Sequence, residues 1–185
     1  YLTESEINEN KDYLNSFIKK DERKIWTLIM GGPTKHYEYS TENIKKIFEN
    51  LNNLIKQNNL QLVVIPSMRT PKNIIQYTKE YFGEKHTVIE TVDKKAYLSS
   101  LAISEKIVVT CDSSSMISEA ALTGKPIYIA NILPKKNDKR FQRFRNLFRE
   151  LNIIRNLGEE VEIWSYEKLD ETNRVANIIK QKINL

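Results

Sequence analysis

One cysteine, Cys111, among 185 residues leaves no intrachain disulfide to form, and fits a reducing, cytoplasmic setting. With only two histidines beside it, a four-ligand Cys/His zinc site is excluded. Five glycines and five prolines are too few for a linker-rich or low-complexity chain. No apolar run approaches the 18 residues of a membrane-spanning helix; strand-like runs such as Leu62–Ile65 and Ile107–Val109 are far shorter. The sequence opens on Tyr1 rather than Met, with no signal-peptide pattern, and is expected to be a processed or cut chain. Neither G-x-G-x-x-G nor G-x-x-x-x-G-K-[ST] occurs, so dinucleotide and P-loop readings lack their motifs. No Ser–His–Asp order and no paired-carboxylate pattern is recognisable.

What is present is ordinary for a globular domain: 40% hydrophobic and 29% charged residues. A chain of this length buries roughly 70% of its unfolded surface and needs neither metal nor disulfide to hold a core. The net charge of +5 is uneven. Lys135, Lys136, Lys139, Arg140, Arg143, Arg145 and Arg149 against Asp138 give one basic stretch on an otherwise near-neutral chain. That distribution argues against a general nucleic-acid binder.

Short β-branched runs alternate with helical periodicities. Thr3–Lys20 reads as one leading helix, capped by Thr3 with Glu6. Strands are expected at Ile25–Met30, Leu60–Ile65, Thr87–Ile89, Lys106–Cys111 and Ile127–Asn131, with a further short one at Val161–Trp164. Helices are expected at Thr41–Asn58, Lys72–Phe82, Lys94–Ser104, Ser114–Thr123, Asp138–Leu151 and Glu171–Ile183. In the Asp138–Leu151 helix Phe141, Phe144, Leu147, Phe148 and Leu151 are read as inward. The closing helix is read through Val175, Ile178 and Ile179. The organisation is a leading helix over residues 1–22 and one α/β domain over 23–185. It is a three-layer, Rossmann-like domain with a parallel sheet. Ligands of such sheets sit at the carboxyl ends of the strands.

The polar loops fall at those ends. Gly31–Gly32–Pro33–Thr34–Lys35–His36 follows a buried strand. Its glycines and exposed N–H groups suit an anion, with Thr34, Lys35 and His36 adding donors; the alternative is a tight turn. In Asp112–Ser113–Ser114–Ser115–Met116–Ile117–Ser118–Glu119 three serines open a helix whose N-terminus suits a phosphate, with Glu119 one turn on; the alternative is plain capping by Ser or Asp. Arg69, in Ser67–Met68–Arg69–Thr70–Pro71, reads either as a phosphate fork or as an exposed loop residue. The basic helix reads as a solvated face or as a docking surface for phosphate, an acidic partner or a membrane. His86, beside a turn, is read as without a role, and Cys111 as a packing residue.

GGPTKHY (31–37), SMRTP (67–71), VVTCDSSSMISEAALTGKPIYI (108–129) and WSYEKLDETNRVA (164–176) resemble the mitochondrial-fission ELM family. Bacterial members of that family are described as predicted nucleoside-diphosphate-sugar epimerases. The resemblance runs from about Ile25 to Ala176 and implies the C-terminal half of a glycosyltransferase-B-like protein. In such proteins that half binds the nucleotide-sugar donor. The implied roles are diphosphate for Gly31, Gly32, Thr34, Lys35, His36, Arg69, Ser113, Ser114 and Ser115, and nucleoside or sugar for Met116 and Glu119. No cofactor or metal is required in that reading; a nucleoside-diphosphate sugar is the substrate, and the N-terminal half of the same protein is the partner. The G-x-G-x-x-G turn and Tyr/Lys pair that the epimerase description implies are not evident. A non-enzymatic adaptor, or a membrane-peripheral protein docking through residues 138–151, is the alternative. This chain is expected to fold alone, to bind nucleotide weakly at most, and not to turn over.

Overall fold

Residues 24–30, KIWTLIM, are apolar at almost every position, as a strand buried on both faces requires. In the computed structural model, which describes residues 2–169 and 171–183, they form β1 (Lys24–Met30) at the centre of a six-stranded sheet. The others are β2 (Leu60–Pro66), β3 (Thr87–Val88), β4 (Lys106–Thr110), β5 (Ile127–Ala130) and β6 (Ile154–Asn156). The helices are α1 (Glu4–Glu9), α2 (Thr41–Gln57), α3 (Lys72–Phe82), α4 (Lys94–Ile103), α5 (Ser114–Ala121), α6 (Lys139–Glu150) and α7 (Glu171–Lys182). The sheet order is β3-β2-β1-β4-β5-β6 and every pairing is parallel. The chain builds outward from β1 to β3, then restarts beside β1 with β4. The β1/β4 boundary is therefore the topological switch point, where open α/β sheets bind ligands.

Helix α2 shows why the layers hold. Ser40 caps it through Asn43, and Ile44, Ile47, Phe48, Leu51, Leu54 and Ile55 recur on one buried stripe. Phe48 meets Tyr77 and Phe82 of α3 at ring distances of 5.6 and 4.9 Å. Burying a side chain of that size contributes about 1.5–3 kcal/mol. On the opposite half, Trp26 stacks on Tyr128, which meets Trp164 edge-on.

Four expectations are corrected. Thr3–Lys20 is not one helix: α1 ends at Glu9, and a short 3-10 turn, Tyr13–Ser16, follows. The break is held by Ser99 of α4, whose hydroxyl accepts from the Leu14 N–H and donates to the Lys11 carbonyl. Val161–Trp164 is not a strand. Side chains fix it instead, since the Glu162 N–H donates to the Tyr128 hydroxyl and the Lys106 ammonium to the Glu162 carbonyl. The sixth strand is Ile154–Asn156, two residues past Asn152, which turns the chain with φ 55°. In α6, Leu147 and Leu151 are about half exposed while Arg145 and Phe148 are buried. Val175, Ile178 and Ile179 of α7 are also exposed rather than packed inward. Asp170, inside the last motif, lies outside the described residues.

His86 is buried at the other end of the sheet, where its Nδ1 accepts from the Leu62 N–H. Burial, then the charges of Arg23 and Lys85, lower its pKa from 6.5 to about 4. Between those values the unfolded chain binds a proton that the folded chain refuses, so stability falls as pH drops. We expect the wild type to lose about 2 kcal/mol more than His86→Gln between pH 7 and pH 5. Urea melts of both chains at the two pH values measure this, and equal losses contradict it.

Candidate functional site

The switch point is filled by the protein's own carboxylate. Asp112, just after β4, has a fully buried side chain. Its Oδ2 accepts from the Gly32 N–H at 3.1 Å and from Arg69 Nη2 at 3.0 Å, and its Oδ1 accepts from the Tyr39 hydroxyl at 2.7 Å. The Gly31 N–H donates to the Thr110 hydroxyl, and Arg69 Nη1 to the Gly32 carbonyl. The expectation of exposed N–H groups at Gly31 and Gly32 is thereby corrected. A cradle exists, but Asp112 occupies it. A Cβ on Gly31 would lie 2.1 Å from Asp112 Oδ2, and one on Gly32 would lie 2.0 Å from the Arg69 carbonyl oxygen. Both glycines are demanded by packing inside the protein. Arg69 is tied down at its tip rather than free in solvent, although its side chain remains 41% exposed.

Beside this closed crevice α5 begins. Buried Ser113 is its N-cap, with the hydroxyl accepting from the Met116 N–H. The N–H groups of Ser114 and Ser115, in the first helical turn, find no acceptor among the described residues. They open on a groove of about 640 Å³ lined on one side by Ser114, Ser115, Ser118 and Glu119, and on the other by Arg140, Phe141 and Phe144 of α6. A second cavity of about 260 Å³, largely apolar, is formed by Met68, Val92, Tyr97 and Met116 among others. Glu119 lines both. Its Oε2 accepts from the Tyr97 hydroxyl at 2.5 Å, and its Oε1 has no partner among the described residues. Burial, then that bond, push the Tyr97 phenol far above its ordinary pKa, so Tyr97 remains a donor.

The wall carrying Arg140 is held in position by a buried cluster. Tyr37 pairs with Pro134 in a backbone bridge and donates its hydroxyl to Asp138. Arg145 Nη2 meets Asp138 at 3.1 Å, and Nη1 donates to the Tyr37 hydroxyl and the Cys111 carbonyl, both at 3.0 Å. Burial alone raises the Asp138 carboxyl, but the hydrogen bonds from Tyr37 and Arg145 bring it below the ordinary carboxylate range. Arg145 is thus no part of a solvated docking face, whereas Lys135, Lys136, Lys139, Arg140 and Arg143 are exposed.

Of the residues singled out in the sequence, the fold unites Ser114, Ser115 and Glu119 in the groove, and Met116 with Glu119 in the apolar cavity. Gly31, Gly32 and Arg69 gather on Asp112. Thr34 accepts from the His36 and Tyr37 N–H groups, which closes the turn. Lys35 is exposed, and His36 packs edge-on against Phe141 at 5.5 Å. These three line neither cavity. Sequence reading gives no role to Tyr97 or Val92, takes Asp112 only as a candidate cap and Met68 only as part of its loop, and reads Arg140, Phe141 and Phe144 as parts of the basic helix rather than as a groove wall. The wall had a signal, since Arg140 flanks the apolar seam of a helix that follows a strand end.

The family model "Mitochondrial fission ELM1" matches residues 1–183. An uncharacterised protein of Rickettsia prowazekii is 31% identical over 85% of the chain, and the mitochondrial fission protein ELM1 of Arabidopsis thaliana is 26% identical over 83%. The chain spans 46% and 36% of the length of these two relatives. Among solved structures, the UDP-GlcNAc 2-epimerase of Methanocaldococcus jannaschii aligns with a TM-score of 0.52 and 17% identity, over 94% of this chain and 50% of that one. The enzyme of Neisseria meningitidis, bound to UDP-GlcNAc, aligns with 0.50 and 17%, over 94% and 40%. At that identity the likeness shows the fold: a Rossmann-like domain of glycosyltransferase-B type, amounting to about half of those proteins. Fold, motifs in order and the family match agree, and the chain belongs to the mitochondrial fission ELM1 family.

Proposed function

We propose that this domain binds a nucleoside-diphosphate sugar at the α5 groove. One observation carries the reading. A helix N-terminus with two unbonded N–H groups and two hydroxyls opens on a groove whose far wall brings Arg140. The N-terminal partial charge and the guanidinium together suit a diphosphate. Glu119, one turn along, is the acceptor for ribose or sugar hydroxyls, and the cavity of Met68, Val92 and Met116 suits the flat face of a base. Arg140 and the helix end supply the positive charge in this reading, so no metal is called for. In this reading a facing domain, for which the relatives have the additional length, closes the cleft. Two fold neighbours are epimerases by name, so the reading concerns the ligand class rather than the reaction.

Calorimetry and thermal shift with UDP and GDP, with and without the sugar, test it. A nucleotide at about 100 times its Kd stabilises the chain by about 2.7 kcal/mol. Glu119→Ala and Arg140→Ala each weaken binding about tenfold or more while the unliganded melting point holds. No shift with any of these nucleotides overturns the reading.

A further inference from the structure

Glu119 is the one carboxylate shared by the groove and the apolar cavity, and its direction is decided by a single bond. Two cations line the same spaces. Arg140 stands across the groove, and Lys94 lines the apolar cavity and a third, adjoining space of about 320 Å³ that Glu119 also borders. Lys94 is already paired with Glu6 at 3.1 Å. A carboxylate free to turn among these charges would be drawn onto Arg140, since oppositely charged groups in a partly desolvated groove attract strongly. That pairing would consume both groups that a ligand needs. Tyr97 prevents it by donating its hydroxyl to Oε2 from α4, a helix rigidly seated by buried Ala96, Leu98, Ser99, Ser100 and Leu101.

We infer that Tyr97 is a positioning residue for Glu119: it holds the carboxylate so that Oε1 faces a hydroxyl-bearing ligand and Arg140 is left to the phosphates. The inference rests on the nucleotide-sugar reading for its ligand but not for its geometry. Tyr97→Phe keeps the ring and removes only the donor, so the melting temperature should change little.

UDP and 2′-deoxy-UDP are the probes. The wild-type chain prefers UDP by about tenfold, the difference made by a hydroxyl bonded to a charged acceptor. In Tyr97→Phe that preference shrinks to about threefold or less, and Glu119→Gln together with Tyr97→Phe lowers it no further. Retention of the wild-type ratio, even with both affinities reduced, overturns the inference, because a purely structural loss weakens both nucleotides alike. A crystal structure of unliganded Tyr97→Phe gives an independent decision. The Glu119 carboxylate is expected to turn toward Arg140 or Lys94, and its staying in position overturns the inference. If the wild type binds neither nucleotide, the nucleotide-sugar reading fails while the crystal structure still decides whether Tyr97 directs Glu119.

Discussion

Gly31→Ala is expected to destabilise the chain by about 3–5 kcal/mol, with no ligand involved. The added Cβ lies 2.1 Å from Asp112 Oδ2 and 2.6 Å from its Cγ. The carboxylate has nowhere to go: its side chain is fully buried and both oxygens are held, by Gly32 and Arg69 on one side and Tyr39 on the other. Either the Asp112 pairings break or β1 shifts against β4. Breaking them strands a buried charge, the costlier kind of loss. Gly158→Ala is the control, since its Cβ meets nothing within 4 Å, and it should change stability by less than about 0.5 kcal/mol. Denaturant melts of both variants measure the contrast. Coupling identifies the cause: Gly31→Ala in an Asp112→Ala background should cost at least about 1 kcal/mol less than in the wild type. Equal costs in the two backgrounds would place the clash elsewhere. The same geometry warns that Gly32→Val reports on folding and not on nucleotide binding, because its Cβ would overlap the Arg69 carbonyl.

The strands were legible because nearly continuous apolar runs such as KIVVT and IYIA admit few other readings, and α2 because its stripe never breaks. The leading helix misled for a local reason. Ile7, Leu14, Phe17 and Ile18 keep helical spacing, but the turn between them depends on a serine in α4 that periodicity cannot see. The candidate site divides along the same line. Ser114, Ser115 and Glu119 share one helix, so their spacing alone brings them together. Asp112 meets Gly32 across 80 residues of chain, and neither partner announces the other. Asp138 looks like a helix cap, yet its carboxylate makes no cap and turns to Tyr37, Gln142 and Arg145 instead. Charge is misread as surface where its partners come from distant parts of the chain, as with Arg69 on Asp112 and with Arg145 on the Tyr37 hydroxyl and the Cys111 carbonyl.

Arg145 makes the sharpest case, and Arg145→Glu is expected to leave the chain largely unfolded. Arg145 and Asp138 have side chains only 8% and 2% exposed. The substitution sets two carboxylates together in that space and removes the donors to the Tyr37 hydroxyl and the Cys111 carbonyl. Removing one partner of a buried pair already costs about 3–5 kcal/mol, a large part of the stability of a domain this size. Burial and the Asp138 bond hold the Tyr37 phenol well above its ordinary pKa, so it stays a neutral donor and cannot replace the lost cation. Arg145→Lys should recover only part of the loss, because one ammonium cannot reproduce the two-armed contact. Arg143→Glu, two residues away and exposed, should shift stability by less than about 0.5 kcal/mol. Circular dichroism and urea melts separate these outcomes, and a folded Arg145→Glu chain with wild-type stability would return the residue to the surface. The consequence reaches the groove. The Tyr37–Asp138–Arg145 cluster ties α6 to the loop after β1, and α6 carries Arg140, Phe141 and Phe144. Nucleotide binding should therefore fall in Arg145→Lys at temperatures where the chain is still folded, whereas Arg143→Glu leaves it unchanged. The basic stretch thus holds residues with different duties: Arg140 lines the groove, buried Arg145 fixes the wall that carries it, and Lys135 and Arg149 are engaged by Glu38 and by Asn146 and Asn156.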